Sequence, residues 1–318
     1  MRITEYFERS EGPLISYEII PPRRGGSVSE ILNLVGELMV FEPPFIDVTS
    51  HAAQAWYEEL DDGTIRRHVK RKRPGTIGVC AAIKNRFGIE SVPHLLCLGF
   101  TREETEDALI ELNYLGLHNV MALRGDDQGY RKPIRKDRSV NAYALDLVQQ
   151  IRDMNAGVYL EKLVDAEPTE FCVGVAGYPE KHFEAPNMDR DILNLKRKVE
   201  AGADYIVTQM FFDNSRYFDF VDRCREVGID VPIIPGVKIL TRRSQLQTLP
   251  RNFYVSIPEE LAAQVELVDD DMVVDVGVEW AIRQCDELLG AGAPSIHFYI
   301  MQRAMTVKRV VERLRQMA

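Results

Sequence analysis

The sequence predicts an α/β fold, a single (β/α)8 TIM barrel, and three observations carry that prediction. Eight short apolar runs recur along the 318 residues, most of them apolar at consecutive positions. Runs of this kind are strands buried on both faces of a parallel sheet. Stretches with helical spacing separate them, and strand–helix alternation means βαβ units. Nearly every run ends in a polar or ionisable residue, and in a barrel those ends converge on one face. An open doubly wound sheet is the competing topology, but eight units in a chain of this length fit closure better.

The elements follow in order. Leu14–Ile20 is the first strand, stopped by Pro21-Pro22, with Glu18 as its one charge. Val28–Val40 has helical periodicity. Phe45–Thr49 is the second strand and leads into Ser50-His51-Ala52-Ala53. The next stretch is polar and irregular up to Gly63; a helix is expected from Thr64 and another over Thr76–Phe87. Val92–Cys97 is the third strand, with Pro93 placing it at a strand start or an edge. Thr101 and Glu104 form a capping box that opens a helix ending near Gly116.

Val120–Leu123 is the fourth strand and breaks into Arg124-Gly125-Asp126-Asp127. A glycine there lets the backbone approach a ligand closely. A polar loop over Asp127–Arg138, a helix over Tyr143–Met154 and an insertion over Asn155–Pro168 come next. Phe171–Tyr178 is the fifth strand, followed by Pro179-Glu180-Lys181-His182. Asp191–Ala201 reads as a helix with Gly202 as its C-cap. Tyr205–Phe212 is the sixth strand, and Asn214 or Ser215 caps a helix reaching Val227. Val231–Val237 is the seventh strand. Helical pieces follow, the longest over Asp270–Leu289, then Ser295–Tyr299 as the eighth strand and Thr306–Gln316 as the last helix. No shift in composition divides the chain, so residues 1–318 are expected to form one catalytic domain with an insertion near 155–170 and no regulatory domain.

Composition narrows the function classes. Apolar residues make up 45% and charged residues 28%, enough for a sizeable core. The net charge of −10 (49 acidic against 39 basic residues) argues against a nucleic-acid partner, which needs a basic face. The charged N-terminus has no signal-peptide core, and no run of about 18 apolar residues exists to span a membrane. Five cysteines, Cys80, Cys97, Cys172, Cys224 and Cys285, are far apart, odd in number and without a Cys-x-x-Cys pair. That pattern fits reduced, buried thiols in the cytoplasm.

The strand ends deliver Glu18, Thr49 with His51, His94, Arg124 with Asp126, Tyr178 with His182, Gln209, Pro235-Gly236 and Tyr299. No His-x-His or His-Glu-x-x-His is present, so no metal site is expected. Lys238 alone among lysines ends a strand cleanly, which gives Schiff-base chemistry poor support. No Gly-x-Gly-x-x-Gly stands between a strand and a helix, so a dinucleotide would bind without a Rossmann fingerprint. Glu18 lies in an apolar strand, where desolvation favours the protonated form and suits a general acid. A core glutamate paired with an arginine is the plainer alternative. Asp126 can equally be a functional carboxylate or a loop cap.

Tyr17-Glu-Ile-Ile-Pro-Pro22, Pro93-His-Leu-Leu-Cys97, Ala122-Leu-Arg-Gly-Asp126, Gly177-Tyr-Pro-Glu180 with His182, Leu193-Asn-Leu-Lys-Arg-Lys198, Thr208-Gln-Met-Phe-Phe-Asp213, Ile234-Pro-Gly236 and His297-Phe-Tyr299 with Arg303 stand in this order. The ordered set resembles the methylenetetrahydrofolate reductase family, bacterial type, catalytic barrel only. The resemblance implies a cytoplasmic homo-oligomer of one-carbon metabolism and methionine biosynthesis. It would hold FAD non-covalently and reduce 5,10-methylenetetrahydrofolate to 5-methyltetrahydrofolate. Its electrons would come from NADH or NADPH by ping-pong hydride transfer through the flavin.

The family's roles map onto particular residues. Glu18 corresponds to the proton donor and Asp126 to the carboxylate beside flavin and pterin. Gln209, Tyr299 and Arg303 correspond to substrate contacts. Thr49, His94, Leu123, Arg124, Gly125, Asp126, Tyr143, Ala144, Ala176, Tyr178, His182, Asp191, Asn194, Arg197 and Lys198 correspond to FAD contacts. His51 joins them by position, although Ser50-His51-Ala52 departs from the commoner Tyr-Gly-Ala. Arg197 and Lys198 are candidates for the pyrophosphate. A second departure is Val237-Lys-Ile-Leu-Thr-Arg-Arg243, where the family continues Ile-x-Pro; it leaves the substrate-stacking residue unassigned. A proline-dehydrogenase-like flavin barrel, or a relative that takes electrons from a partner protein, stays open as an alternative.

Overall fold

A computed structural model describes residues 1–10, 12–126, 130, 132–301 and 304–317. The elements are α1 (Ile3–Arg9), β1 (Leu14–Ile19), α2 (Val28–Leu38), β2 (Phe45–Val48), β3 (Gln54–Glu59), β4 (Ile65–Lys70), α3 (Thr76–Phe87), β5 (Glu90–Leu96), α4 (Arg102–Tyr114), β6 (Asn119–Leu123) and α5 (Ala144–Asn155). They continue with β7 (Cys172–Gly177), α6 (Met188–Glu200), β8 (Tyr205–Thr208), α7 (Asn214–Glu226), β9 (Ile233–Ile234), β10 (Gly236–Val237), α8 (Gln245–Phe253), α9 (Glu259–Leu267), α10 (Val273–Gly290), β11 (Ser295–Met301) and α11 (Met305–Met317).

The main sheet runs β10-β11-β1-β2-β5-β6-β7-β8-β9, and every pairing in it is parallel. β9 and β10 are the two halves of one stave, separated by Pro235. Proline has no N–H to give to a ladder, but the Pro235 carbonyl still accepts from His297 N at 3.0 Å. The halves pair with β8 and β11 respectively, so eight staves close the (β/α)8 barrel. Pro93 is not at a strand start, as the sequence suggested. It is the last residue paired with β2, and pairing with β6 begins at His94, so its missing N–H falls between two ladders.

Two apolar shells follow from strands buried on both faces. Between staves and helices lies a large shell that includes Ile46, Val120, Val173, Ile206 and Phe298, with Leu34, Ile151 and Val310 from the helices. Inside the barrel, Phe45, Val92, Met121, Cys172, Tyr205 and Ile234 pack around Ile3 from α1. This short helix, too brief to leave a periodic signal, plugs the N-terminal end, and Ile3 N donates to Asn119 Oδ1 at 2.9 Å. All five cysteines are buried free thiols.

The stretch between β2 and α3 departs from expectation twice, and the part expected to be irregular up to Gly63 contains the strand β3. The helix expected from Thr64 is the second strand of an antiparallel hairpin, β3 with β4. Asp62-Gly63 makes the turn, Gly63 with φ of 78°, and Asp62 Oδ1 accepts from Thr64 N at 2.9 Å. Ile65 and Val69 are β-branched and favour strand. Trp56 stacks on His68 at 4.2 Å between centroids, an element of cross-strand pairing that helical spacing cannot supply. The expected insertion over 155–168 is irregular chain bridged by Asn155, whose Oδ1 accepts from Thr169 Oγ1 and Phe171 N.

Candidate active site

Parallel register brings the charged residues of the C-terminal strand ends into one row. Glu18 on β1 is paired with Asp47 on β2 at one side and Tyr299 on β11 at the other. His94 on β5 reaches back into the row. Its Nε2–H donates to Asp47 Oδ2 at 3.3 Å, and the same nitrogen lies 3.7 Å from Glu18 Oε2. Asp47 is fully buried and its Oδ1 has no hydrogen-bond partner among the described residues.

Burial pushes the Glu18 carboxyl up to about 7; His94 and Lys238 oppose that rise and Asp47 adds to it. Burial alone would depress His94, but its hydrogen bond to Asp47 and the charges of Glu18 and Asp47 outweigh burial and raise it. The row therefore holds a carboxyl that is partly protonated near neutrality beside an imidazole that favours its cation. That is the electrostatic setting of a general acid. Deeper in the barrel, His297 Nδ1 and Ser16 Oγ are 2.8 Å apart. Burial pushes His297 down to about 4, so this imidazole is neutral.

The other side of the mouth is polar and partly unsatisfied. Thr49 Oγ1, His51 Nδ1 and Arg124 Nε have no hydrogen-bond partner among the described residues. Burial lowers His51, followed by Arg73, while the exposed Asp126 acts in the opposite sense. Gly125 adopts φ of 86° after Leu123 and Arg124, a left-handed conformation that favours glycine. A Cβ there would meet Leu96 at 3.4 Å. Arg124 pairs with Glu184 and stands over the Tyr143 ring at 5.6 Å, just before Ala144 opens α5.

Tyr178 meets His182 edge-on at 4.7 Å. Burial, then Asp191 and Asp126, raise the Tyr178 hydroxyl. His182 N donates to Asp191 Oδ2 at 2.7 Å, which ties the strand-five loop to α6. On the same helix Asn194 and Arg197 are exposed, while Lys198 Nζ donates to Ala176 O at 2.8 Å. Burial pushes Lys198 down to about 8, against the charge of Asp191. Unfilled donors and acceptors, a left-handed glycine and aromatic rings fit a planar group with polar edges and an anionic tail. They are a suitable cradle for a flavin nucleotide.

Gln209 Oε1 accepts from Met210 N at 2.9 Å. Tyr299 donates its hydroxyl proton to Thr208 O at 2.6 Å, and its ring covers Gly236, where a Cβ would lie 2.2 Å from Thr208 O. Arg303 and Asp127 lie outside the described residues. Glu18, Asp47, His94 and Tyr299 are thus brought into one row. Asp126, His51 and Tyr178 form a second group, and Asp191, Asn194, Arg197 and Lys198 a third along α6. Sequence reasoning missed Asp47 and set Lys238 aside. Asp47 carried the same signal as Glu18, an acid inside an apolar strand.

Comparison with known proteins gives the site a family. The family model described as methylenetetrahydrofolate reductase matches residues 2–315. The 5,10-methylenetetrahydrofolate reductase of Salmonella typhimurium is 33% identical over 293 residues, covering 91% of this chain and 86% of its own length. Methylenetetrahydrofolate reductase 1 of Schizosaccharomyces pombe is 32% identical over 307 residues; they cover 94% of this chain but 45% of that protein, so the chain spans about half its length. Among solved structures, an uncharacterized Clostridium thermocellum protein that binds two copies of 5-methyl-5,6,7,8-tetrahydrofolic acid shares the fold. Its TM-score is 0.58 at 14% identity, over 98% of each chain. The ordered strand-end motifs, the barrel that carries them and a family match over nearly the whole sequence agree: this chain belongs to the methylenetetrahydrofolate reductase family.

Proposed function

We propose that this chain reduces 5,10-methylenetetrahydrofolate to 5-methyltetrahydrofolate with NADH or NADPH, using non-covalently held FAD. The single observation that carries the reading is Glu18, a strand carboxyl pushed up to about 7 by burial beside His94 and Asp47. Such a group holds a proton at neutral pH and can deliver it. In this reading Glu18 protonates the bridging nitrogen of the folate, which opens the five-membered ring to an iminium cation. Asp126, exposed at the mouth, supplies negative charge for that cation. Gln209 and Tyr299, with Arg303, hold the folate.

Thr49, His51, His94, Leu123, Arg124, Gly125, Tyr143, Ala144, Ala176, Tyr178, His182, Asp191, Asn194, Arg197 and Lys198 would hold the FAD. Bound FAD would supply the hydride, taken from the pyridine nucleotide and delivered to the folate in a ping-pong sequence. The test is the purified protein under anaerobic conditions. A yellow protein whose flavin is bleached by NADH or NADPH and re-oxidised by methylenetetrahydrofolate supports the reading. A protein that takes up no FAD, or whose reduced flavin ignores the folate, overturns it.

A further inference from the structure

The seventh stave ends in a cation that acts on the acid. The chain reads Val237-Lys238-Ile239 here, and Lys238 follows β10 directly. Its Nζ donates to Tyr299 O at 2.7 Å. Tyr299 is the β11 residue paired with Glu18. The ammonium is therefore tied to the stave next to the acid, at the acid's own level. Among the described residues one of its three N–H groups is used, and its partner is a neutral carbonyl. A half-buried ammonium held this way gains little from its hydrogen bond and needs a counter-charge.

The groups facing Glu18 narrow the choice of that counter-charge. From β2 comes Asp47, an anion that opposes ionisation of Glu18. From β5 comes His94, which lies closer to Asp47 (3.3 Å) than to Glu18 (3.7 Å). From β11 come Tyr299, whose hydroxyl burial raises far above its ordinary range, and His297, pushed down to about 4; both are neutral at working pH. Lys238 remains. Burial lowers it to about 8 and the charge of Glu18 opposes that fall, so it is mostly a cation at neutrality.

We propose that Lys238 is a positioning residue of the acid site: anchored on the eighth stave beside Glu18, its ammonium is a counter-charge, additional to His94, that lets this carboxyl release its proton. The inference rests on the reading of Glu18 as the proton donor. The proton passes from the Glu18 carboxyl to the folate nitrogen. Lys238 keeps its own proton throughout and stabilises the carboxylate left behind.

The experiment has two arms. The first is the pH profile of the folate half-reaction in Lys238→Met and Lys238→Arg. Lys238 is the second cationic group that lowers Glu18, after His94. Removing the Lys238 charge in Lys238→Met is expected to move the alkaline limb upward, with Lys238→Arg restoring the original limb and flavin reduction by the pyridine nucleotide unchanged. The second arm needs no cofactor or turnover. Lysines are 13C-dimethylated, the Lys238 signal is identified by its loss in Lys238→Arg, and it is titrated by NMR in the wild type and in Glu18→Gln. Its midpoint is expected to fall when the carboxylate is removed.

An unmoved limb in Lys238→Met, or an unmoved Lys238 midpoint in Glu18→Gln, overturns the proposal. Should Lys238→Met fail to fold, the NMR arm decides. A full folate half-reaction in Glu18→Gln would instead remove the acid reading itself.

Discussion

Two strand glutamates at opposite ends of the barrel show what separates a structural carboxylate from a chemical one. Glu90 opens β5 at the N-terminal end. Its oxygens accept from the Met1 amino group at 3.1 Å, from Lys84 Nζ at 3.1 and 3.2 Å and from Asn119 Nδ2 at 3.2 Å. Glu18 ends β1 at the other end. Its nearest cation is His94 at 3.7 Å, which is shared with Asp47. Both carboxyls are largely buried, with 10% and 15% of the side chain exposed. The difference is satisfaction: Glu90 completes its polar contacts, and Glu18 leaves its own open.

Substitution at each glutamate breaks the comparison most directly. Glu18→Gln should slow the folate half-reaction by a factor on the order of 10²–10⁴ while the flavin is still reduced by pyridine nucleotide. Glu90→Gln should leave both half-reactions intact and lower the unfolding midpoint in urea. Stopped-flow traces of each half-reaction and denaturation curves separate the two effects. Equal loss of both half-reactions in Glu18→Gln would remove its role as the acid.

A smaller effect is expected at Asp47. Asp47→Ala leaves the buried His94 without its hydrogen-bond acceptor, and breaking such a buried pair costs about 3–5 kcal/mol. Urea unfolding of the protein without flavin measures it; a loss under about 1 kcal/mol would mean the pair contributes little.

The smallest effect concerns stability against pH. The folded Glu18 carboxyl titrates at about 7, above its ordinary 4.5. Between those values the native state holds a proton that the unfolded chain has released, so this group costs stability as pH rises through that window. Glutamine does not titrate. Glu18→Gln should therefore be more stable than the wild type at pH 8 by on the order of 3 kcal/mol, and the gap should close below pH 4.5. A gap that stays constant from pH 4 to pH 8 would mean that Glu18 is not desolvated in the fold.

The barrel was legible because strands buried on both faces read as continuous apolar runs, and helices between them keep their period. Capping chemistry was legible too, since the Thr101–Glu104 box is local. The β3–β4 hairpin was not. β3 is half-buried and β4 mostly exposed, so no apolar alternation marks them, and Asp62-Gly63 was the one signal available. α1 was missed because seven residues are too few to show a period. Within the site, Glu18 stood out as a lone acid in an apolar strand. Asp47 carried the same mark in a four-residue strand and was not singled out.

The sequence by itself determined the number of staves, their order, which ends carry polar groups and which family's motifs stand there. These are properties of short stretches, governed by side-chain volume, polarity and local hydrogen bonding. Only the tertiary structure decided what the polar ends do to one another. Glu18, Asp47, His94 and Lys238 come from four different staves, and parallel register sets them side by side. The acidity of Glu18 is an outcome of that assembly, because desolvation and Coulomb forces depend on distance through space and not on separation along the chain.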